Sequence, residues 1–227
     1  MHIREFIEKN YPEYYSIERY PADKTAAFCK VDAPWGIFSN FGRTPLVVDG
    51  VDFDCSEKLF QVMKFADTES RKAVFEAKGQ TMKMKAKHQE KVGLVRPDWG
   101  AIIVDAMKFC LMQKYVQNEA FRTELELSRG LFIVEDQTTF QKKNPDTWGA
   151  KLSGNGKEYI GPNLMGRLLM ELRDNGKLDY VLPSDATVFQ DLSETVLPRL
   201  WSSAAAPSSP AILSVRSIFH SALSELP

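Results

Sequence analysis

The spacing of apolar and polar residues predicts short helices at the start of the chain and then a β-hairpin. Residues 1–20 have the amphipathic pattern of one or two short helices that break at Pro12. Between residues 36 and 54 the pattern is extended, and two short apolar runs flank Asp49 and Gly50. Because an Asp-Gly pair between two such runs is typical of a two-residue turn, we expect a β-hairpin there.

From Ser56 the apolar spacing becomes that of a helix, and Ser56 is in a position to cap it. Residues 68–91 continue as polar helical segments that are interrupted at Gly79. A long core helix is expected after Asp98, a second capping candidate, because apolar residues recur on one side of the segment 96–117. This part of the chain is therefore predicted to be helical.

The later elements are predicted to be a short strand, a long loop and a helix. Apolar residues at 131–136 predict the strand. Residues 137–161 are polar and rich in glycine, and a long loop in a compact domain is more often functional than not. A helix is expected over 161–176, because a proline lies in its first turn and Asn-Gly follows its apolar stripe.

These elements divide the chain into three predicted regions. They are a helical N-terminal extension over residues 1–30, one compact domain over residues 31–182, and a C-terminal tail over residues 183–227. The domain is predicted to be α+β, predominantly helical with a small β-hairpin or sheet. The tail is expected to be partly flexible, because the segment after Trp201 is rich in serine, alanine and proline.

The charge balance excludes a protein that is held to nucleic acid by bulk positive charge. The chain contains 29 Lys and Arg residues against 30 Asp and Glu residues, whereas non-specific binding depends on clustered cations. A local cluster does exist, since residues 78–96 hold six positive residues and one acid, Glu90. This segment could follow phosphates, or it could be an ordinary solvated helix face.

Cysteine and histidine are too scattered to predict a metal site. The three cysteines include no CxxC pair, and the three histidines are equally dispersed. We therefore expect no metal and no cofactor. The N-terminal segment lacks the apolar core of a secretory signal, and no segment has the roughly 20 apolar residues of a membrane span. We expect a cytoplasmic protein without a membrane partner. Motifs of serine hydrolases, zincins, zinc deaminases and kinases are also absent from the sequence.

A polar stripe on the helix after Ser56 is the first candidate site. Glu57, Gln61 and Lys64 are spaced i, i+4 and i+7, which places them within about 60° of one another around the helix axis. The carboxylate and the ammonium could then reach one small molecule. A solvated helix face has the same pattern, so both interpretations stay open at this point.

Two further stretches combine aromatic and polar groups. Residues 144–163 hold Asp146, Trp148 and several glycines before a helix start, where free backbone amides bind anions. A flexible surface loop is the alternative. Residues 32–41 alternate aromatic side chains with amide and hydroxyl groups, which suits a nucleobase but also suits core packing. Trp99, at a helix start, has the same two interpretations.

In their order along the chain, several of these motifs resemble the NADAR family, also called YbiA-like. The resemblance runs from Pro34 to near Asn175 and implies an N-glycosidase that acts on ribosylated amines. One branch of the family cleaves ribosylamine intermediates of riboflavin synthesis. Another removes ADP-ribose from guanine and acts as an antitoxin to DarT-type ADP-ribosyltransferases. The matching motifs are FSNF (38–41), LVVDGVDF (46–53), SEKLFQVMKF (56–65), RPDW (96–99), DTWG (146–149) and GPNLMGRLLMELR (161–173).

The resemblance implies catalytic and substrate-binding residues at matching positions. Glu57 is expected to support positive charge on the sugar and to activate water. Lys64 is expected to donate a proton or to form a Schiff base with the ring-opened sugar. Asp146 is the third catalytic candidate, one position away from the acid typical of YbiA-like members. Two tryptophans would hold rings, and the amides before Asn163 would hold phosphate. The implied substrate-binding residues are Phe38, Ser39, Asn40, Phe41, Trp99, Trp148, Gly149, Asn163 and Arg167.

The DTWG motif and the basic segment 78–96 favour the ADP-ribosyl-guanine branch. We therefore expect an enzyme that removes ADP-ribose from guanine in nucleic acid, with a DarT-type toxin as its cognate partner. Its ligand would be ADP-ribosylated DNA or a small molecule like ADP-ribose. The alternatives are hydrolysis of riboflavin-pathway ribosylamines and a module that binds ADP-ribose without cleaving it. The pairing of an acid with an amine favours the enzyme over the module.

Overall fold

The computed structural model describes residues 3–193, in which helices surround three small sheets. The helices are α1 (Ile3–Asn10), α2 (Ser56–Met63), α3 (Thr68–Phe75), α4 (Gln80–Lys91), α5 (Trp99–Gln117), α6 (Glu119–Leu127), α7 (Leu164–Asn175) and α8 (Gln190–Ser193). The strands are β1 (Glu18–Pro21), β2 (Thr25–Phe28), β3 (Leu46–Val48), β4 (Val51–Phe53), β5 (Phe132–Glu135), β6 (Lys151–Leu152) and β7 (Glu158–Gly161). The predicted α+β class, predominantly helical, is confirmed.

Pairing between segments that are distant in sequence builds two of the three sheets. Strand β7 lies between β1 and β6 and is antiparallel to both, whereas β2 runs parallel to β5. The third sheet is the predicted hairpin, β3–β4. Asp49 and Gly50 adopt φ values of 52° and 74° in its turn, as a two-residue turn of this kind requires.

Two regions contain strands where the sequence predicted none. Residues 1–30, predicted to be a helical extension, hold β1 and β2, and the predicted loop at 137–161 holds β6 and β7. The prediction of a wholly helical N-terminal region is therefore wrong at residues 18–28. The partners of β1 and β2 are β7 and β5, which come much later in the chain. The spacing of apolar residues within a short segment does not indicate a partner strand so far away in sequence.

Helix α5 is the centre of the core, as predicted. It contacts α1, α2, α6 and α7. Val104, Ala106 and Leu111 are completely buried on it, and buried apolar surface of this kind is the main source of folding free energy.

Both predicted caps differ in detail from the expectation. Asp98 precedes α5, but its carboxylate accepts hydrogen bonds from Arg96 instead of capping the helix. Ser56 is the first residue of α2 and not its cap, and its Oγ donates to Asn40 Oδ1 at 3.0 Å. The two polar side chains thus connect the helix starts to neighbouring segments.

The first residues of the predicted tail pack onto the rest of the fold. They form a helical turn at Ser184–Thr187 and then α8. Phe189 and Leu192 are fully buried, and the ring centre of Phe189 lies 5.2 Å from that of Phe53. The flexible linker predicted after Trp201 lies outside the described residues. Within residues 3–193, no helix has the length and apolar character needed to cross a membrane.

Candidate active site

A cavity of about 890 Å³ lies where α2, α4, α5 and the end of β5 converge. This volume is within the range of small-molecule sites. Phe41, Phe60, Trp99 and Trp148 are among its aromatic residues. Within residues 3–193, no group of His, Cys, Asp and Glu side chains is arranged to hold a metal ion. The charged residues that line the cavity are Glu57, Lys64, Lys83, Glu90, Glu135 and Asp146.

Helix α2 carries Glu57 into the cavity from its first turn. Every residue of α2 is buried, and Glu57 is only 6% exposed. Its backbone N–H donates to Asn40 O at 2.9 Å. Its Oε1 accepts a hydrogen bond from Gln61 Nε2 at 2.8 Å and lies 3.2 Å from Lys83 Nζ. The interpretation as a solvated helix face is therefore wrong, and the polar stripe faces the cavity.

Lys64 follows the last residue of α2 and lines the same cavity. Its Nζ lies 2.5 Å from Glu90 Oε1 on α4 and 6.0 Å from the centre of the Phe60 ring. Helix α4 thus supplies one partner to each of the two catalytic candidates in the α2 stripe, Lys83 to Glu57 and Glu90 to Lys64. The family motifs did not imply either partner, because they belong to a helix outside those motifs.

Two more carboxyl groups come from β5 and the loop after it. Asp146 Oδ1 accepts hydrogen bonds from Gln137 Nε2 at 2.5 Å and from the Trp148 N–H at 2.9 Å. Glu135 is the last residue of β5 and lines the cavity. Burial first, and then the charge of Asp146, raise the pKa of Glu135 to about 8, so it mostly retains its proton at neutral pH. Sequence reasoning missed Glu135, although an acid that ends an apolar strand is a usable signal.

The two predicted tryptophans form an aromatic wall with Phe60. The Phe60 ring centre lies 5.2 Å from that of Trp99 and 5.8 Å from that of Trp148. Both tryptophans line the cavity and also pack against the core. The two interpretations of Trp99, as a core residue and as a ligand contact, are therefore compatible.

Three of the four residues in the FSNF motif line the cavity, namely Ser39, Asn40 and Phe41. Phe38 does not line it. Its side chain is fully buried, and its ring stacks on Trp35 with 5.6 Å between the centres. Phe38 therefore belongs to the core, contrary to the predicted role in substrate binding.

Asn163 and Gly149 hold the backbone beside the cavity and do not line it. Asn163 is fully buried in the left-handed region, with φ of 50°. Its Nδ2 donates to Ile133 O at 2.8 Å, and its Oδ1 accepts from the Glu135 N–H at 3.1 Å. A Cβ on Gly149 would lie 2.4 Å from Glu135 O. Both residues therefore support the end of β5, and neither lines the cavity in which the predicted substrate contacts were expected.

The predicted anion site at the start of α7 is filled by the chain itself. The N–H groups of residues 163–165 donate to the carbonyl groups of residues 147–149 at 3.0 to 3.1 Å. They are not free for a phosphate. Arg167 is also engaged elsewhere, since its Nη2 donates to Ser16 O at 2.7 Å and lies 3.4 Å from Glu18 Oε1. Arg167 connects α7 to the N-terminal segment and is not a substrate contact.

The predicted basic segment 78–96 divides into buried and exposed parts. Arg96 is buried and bonds to Asp98 and Asp185. The lysines of α4 are exposed, and Lys83 among them reaches the cavity. A positive surface therefore lies beside the candidate site, but Arg96 is not part of it.

Comparison with known proteins identifies relatives over most of the chain. Residues 27–175 match the NADAR domain family. The N-glycosidase YbiA of Shigella flexneri serotype 5b is 30% identical over 158 residues, which are 70% of this chain and 92% of that protein. A riboflavin biosynthesis protein of Vibrio vulnificus is 25% identical over 194 residues, 85% of this chain and 48% of that protein. The NMR structure of Escherichia coli YbiA is similar with a TM-score of 0.53 at 28% identity, covering 67% of this chain and 84% of that one.

Proposed function

Because the chain belongs to the NADAR family, we propose that it hydrolyses the N-glycosidic bond between a ribose and a nitrogen. We propose further that its substrate is ADP-ribose attached to guanine in nucleic acid. The observation that carries the proposal is the buried Glu57 side chain, which lines a cavity that Glu135 also lines. Burial raises the pKa of Glu135 to about 8. The activity named for the YbiA relatives supports the same class of reaction.

Glu57 acts on the sugar. Breaking the bond between C1′ and nitrogen builds positive charge on the ribose ring, as in glycoside hydrolysis. Gln61 and Lys83 hold one oxygen of the Glu57 carboxylate in place. The carboxylate stabilises the charge on the sugar and accepts a proton from the attacking water.

Lys64 binds the substrate as a cation. Its Nζ lies 2.5 Å from Glu90 Oε1, so formation of a Schiff base, in which the amine attacks carbon, would first have to break this ion pair. We therefore assign Lys64 to an oxygen atom of the sugar and favour direct hydrolysis over the Schiff-base route. Asp146, which is held by Gln137, adds negative charge on the same cavity wall.

The size and lining of the cavity support a nucleotide-sized substrate. A volume of about 890 Å³ lies near the upper end of small-molecule sites. Trp99 and Trp148 offer aromatic surface to a base. Lys85, Lys87 and Lys91 are exposed on α4, where they would attract a phosphate backbone.

We accordingly propose ADP-ribosylated DNA as the macromolecular ligand. In this role the protein reverses the modification made by a DarT-type ADP-ribosyltransferase. The resemblance of the DTWG motif to the corresponding family branch supports this pairing, together with the exposed lysines of α4.

Hydrolysis of a ribosylamine from riboflavin synthesis is the second candidate. It is favoured by the names of two relatives, N-glycosidase YbiA and a riboflavin biosynthesis protein. Such a substrate would use the same carboxyl groups, because the bond that breaks is of the same kind.

The proposal is tested by incubating the protein with two substrates, a guanine-ADP-ribosylated oligonucleotide and a ribosylamine phosphate, and measuring the sugar released. We expect release of ADP-ribose from the oligonucleotide. Glu57→Gln should lower the rate by about 100-fold to 10,000-fold, because it keeps the volume and removes the charge. Circular dichroism should show an unchanged fold.

Glu69→Gln is the matched control, because Glu69 occupies the same position in α3 that Glu57 occupies in α2 but is exposed. It should leave the rate unchanged. Release from the ribosylamine alone would favour the second candidate. A wild-type protein that releases sugar from neither substrate would contradict both.

A further inference from the structure

The backbone of Glu135 is held from three directions at the edge of the cavity. Its N–H donates to Asn163 Oδ1 at 3.1 Å, and its carbonyl accepts from the Ala150 N–H at 2.9 Å. The residue also pairs with Phe28 of β2 in the parallel register. These bonds leave little freedom for the start of the side chain, which lines the cavity.

One oxygen of this side chain has no partner. Glu135 Oε2 is shielded from water and makes no hydrogen bond to any residue in the described part of the chain. Buried polar atoms in folded proteins are nearly always hydrogen-bonded, and a catalytic role is one of the explanations for an exception. Among the unpartnered buried atoms of the described residues, Glu135 Oε2 is the one whose residue lines the cavity. A ligand in the cavity could supply the missing partner.

Burial and the charged groups around Glu135 together raise its pKa. Burial raises the pKa of Glu135 most, and the negative charges of Asp146 and Glu57 raise it further, whereas Lys83 lowers it; the result is about 8. The surroundings of Glu57 are different: its Oε1 accepts a hydrogen bond from Gln61 Nε2 at 2.8 Å and lies 3.2 Å from Lys83 Nζ. Two carboxyl groups whose environments differ in this way, in one cavity, can act as acid and base.

We infer that Glu135 is the general acid of the reaction and that its proton passes to the nitrogen leaving C1′. This inference rests on the proposed hydrolysis of an N-glycosidic bond. The water oxygen forms a bond to C1′ and gives a proton to Glu57. The electron pair of the bond between C1′ and nitrogen stays on the nitrogen, which takes the proton of Glu135. Exchange with solvent then returns Glu57 to the carboxylate and Glu135 to the acid.

Lys64 is the competing proton donor among the predicted catalytic residues. Its ammonium already pairs with Glu90 at 2.5 Å, so a proton lost from Lys64 would also break that ion pair. Glu135 makes no comparable pair with a cation through Oε2 among the described residues. The geometry therefore favours Glu135 as the donor and leaves Lys64 as a binding group.

The test compares wild-type protein with Glu135→Gln over a range of pH, with the ADP-ribosylated oligonucleotide and the ribosylamine phosphate as substrates. The amide keeps the shape of the carboxyl group but has no proton to donate. We expect kcat to fall by about 100-fold to 10,000-fold with little change in KM. We also expect the wild-type kcat/KM to decline above pH of about 8, and this decline should be lost in the variant.

The matched control is Glu158→Gln, a strand glutamate that forms an ion pair with Arg19 away from the cavity; its rate and pH profile should equal those of the wild type. If Glu135→Gln retains the wild-type kcat, or keeps the alkaline decline, the inference is wrong while the proposed function stands. If the wild-type protein cleaves neither substrate, the proposed function fails and the inference fails with it.

Discussion

Replacing Asn163 with alanine should destabilise the protein by about 3–7 kcal/mol. The change removes the two hydrogen bonds that Asn163 makes to Ile133 O and to the Glu135 N–H in a fully buried location. Each buried backbone group left unpaired costs about 1–3 kcal/mol. Alanine at the left-handed φ of 50° adds about 1 kcal/mol, because it tolerates this conformation less well than asparagine. A typical domain is stable by only about 5–15 kcal/mol.

Unfolding in urea, followed by circular dichroism, measures this free energy. Asn163→Gly is the companion variant, because glycine adopts the left-handed conformation without strain. It should be more stable than Asn163→Ala by about 1 kcal/mol, and this difference isolates the backbone term. Asn144→Ala, at an exposed residue of the loop before β6, is the control and should change stability by less than about 0.5 kcal/mol.

The refuting result is a stable Asn163→Ala variant with a raised KM. A side chain that binds phosphate would give that result, because its loss weakens the complex and not the fold. The hydrogen bonds of Asn163 predict instead that the variant loses stability. Its activity should fall as a consequence, because the end of β5 no longer holds Glu135 in place.

Two further predictions concern Lys114 and Trp148. Lys114 is fully buried, its Nζ donates to Ile37 O at 2.6 Å and Ser39 O at 2.9 Å, and burial lowers its pKa from 10.5 to about 7. Between pH of about 7 and the unfolded pKa of 10.5, Lys114 binds a proton in the unfolded chain but not in the folded chain. The free energy of unfolding should therefore rise with pH, by up to about 1.4 kcal/mol per pH unit. The rise is measured relative to Lys114→Met, which has no titrating group at this position. Urea unfolding from pH of about 7 to about 9 measures this, and a difference that does not vary with pH would contradict it. Trp148→Ala should raise KM about tenfold and lower stability by about 1–2 kcal/mol, because the ring lines the cavity and also packs on Phe60. Steady-state kinetics and thermal unfolding measure the two effects, and a lower Tm with an unchanged KM would make the ring purely structural.

Helix α2, helix α5 and the β3–β4 hairpin were predictable because each carries its own periodicity or turn signal. The stripe of Glu57 and Lys64 was visible for the same reason. That the stripe faces the cavity and not the solvent is evident only from the folded chain, where Glu57 contacts Lys83 and Lys64 contacts Glu90 of α4. Each of these contacts joins residues 26 positions apart, since Lys83 follows Glu57 and Glu90 follows Lys64 by that number. Helical spacing within α2 does not predict them.

The family motifs identified residues in or beside the cavity more reliably than they predicted what each residue does there. The motif predicts that Asn163 binds the substrate and that the amides before it hold phosphate, but its left-handed backbone and its bonds to β5 make Asn163 a support for Glu135. Phe38 belongs to the same motif as Phe41, yet only Phe41 lines the cavity. These outcomes depend on backbone conformation and long-range packing. The strands β1 and β2 were missed for a related reason, since their partners lie in distant parts of the chain.

A crystal structure of the Glu57→Gln variant with a short guanine-ADP-ribosylated oligonucleotide would locate the reacting bond. The cavity between α2 and the end of β5 is predicted to hold the ribose, with C1′ within about 3–4 Å of the residue 57 side chain and the attached nitrogen facing Glu135. A complex in which the ribose lies outside this cavity, on the exposed face of α4 or at the start of α7, would contradict this assignment.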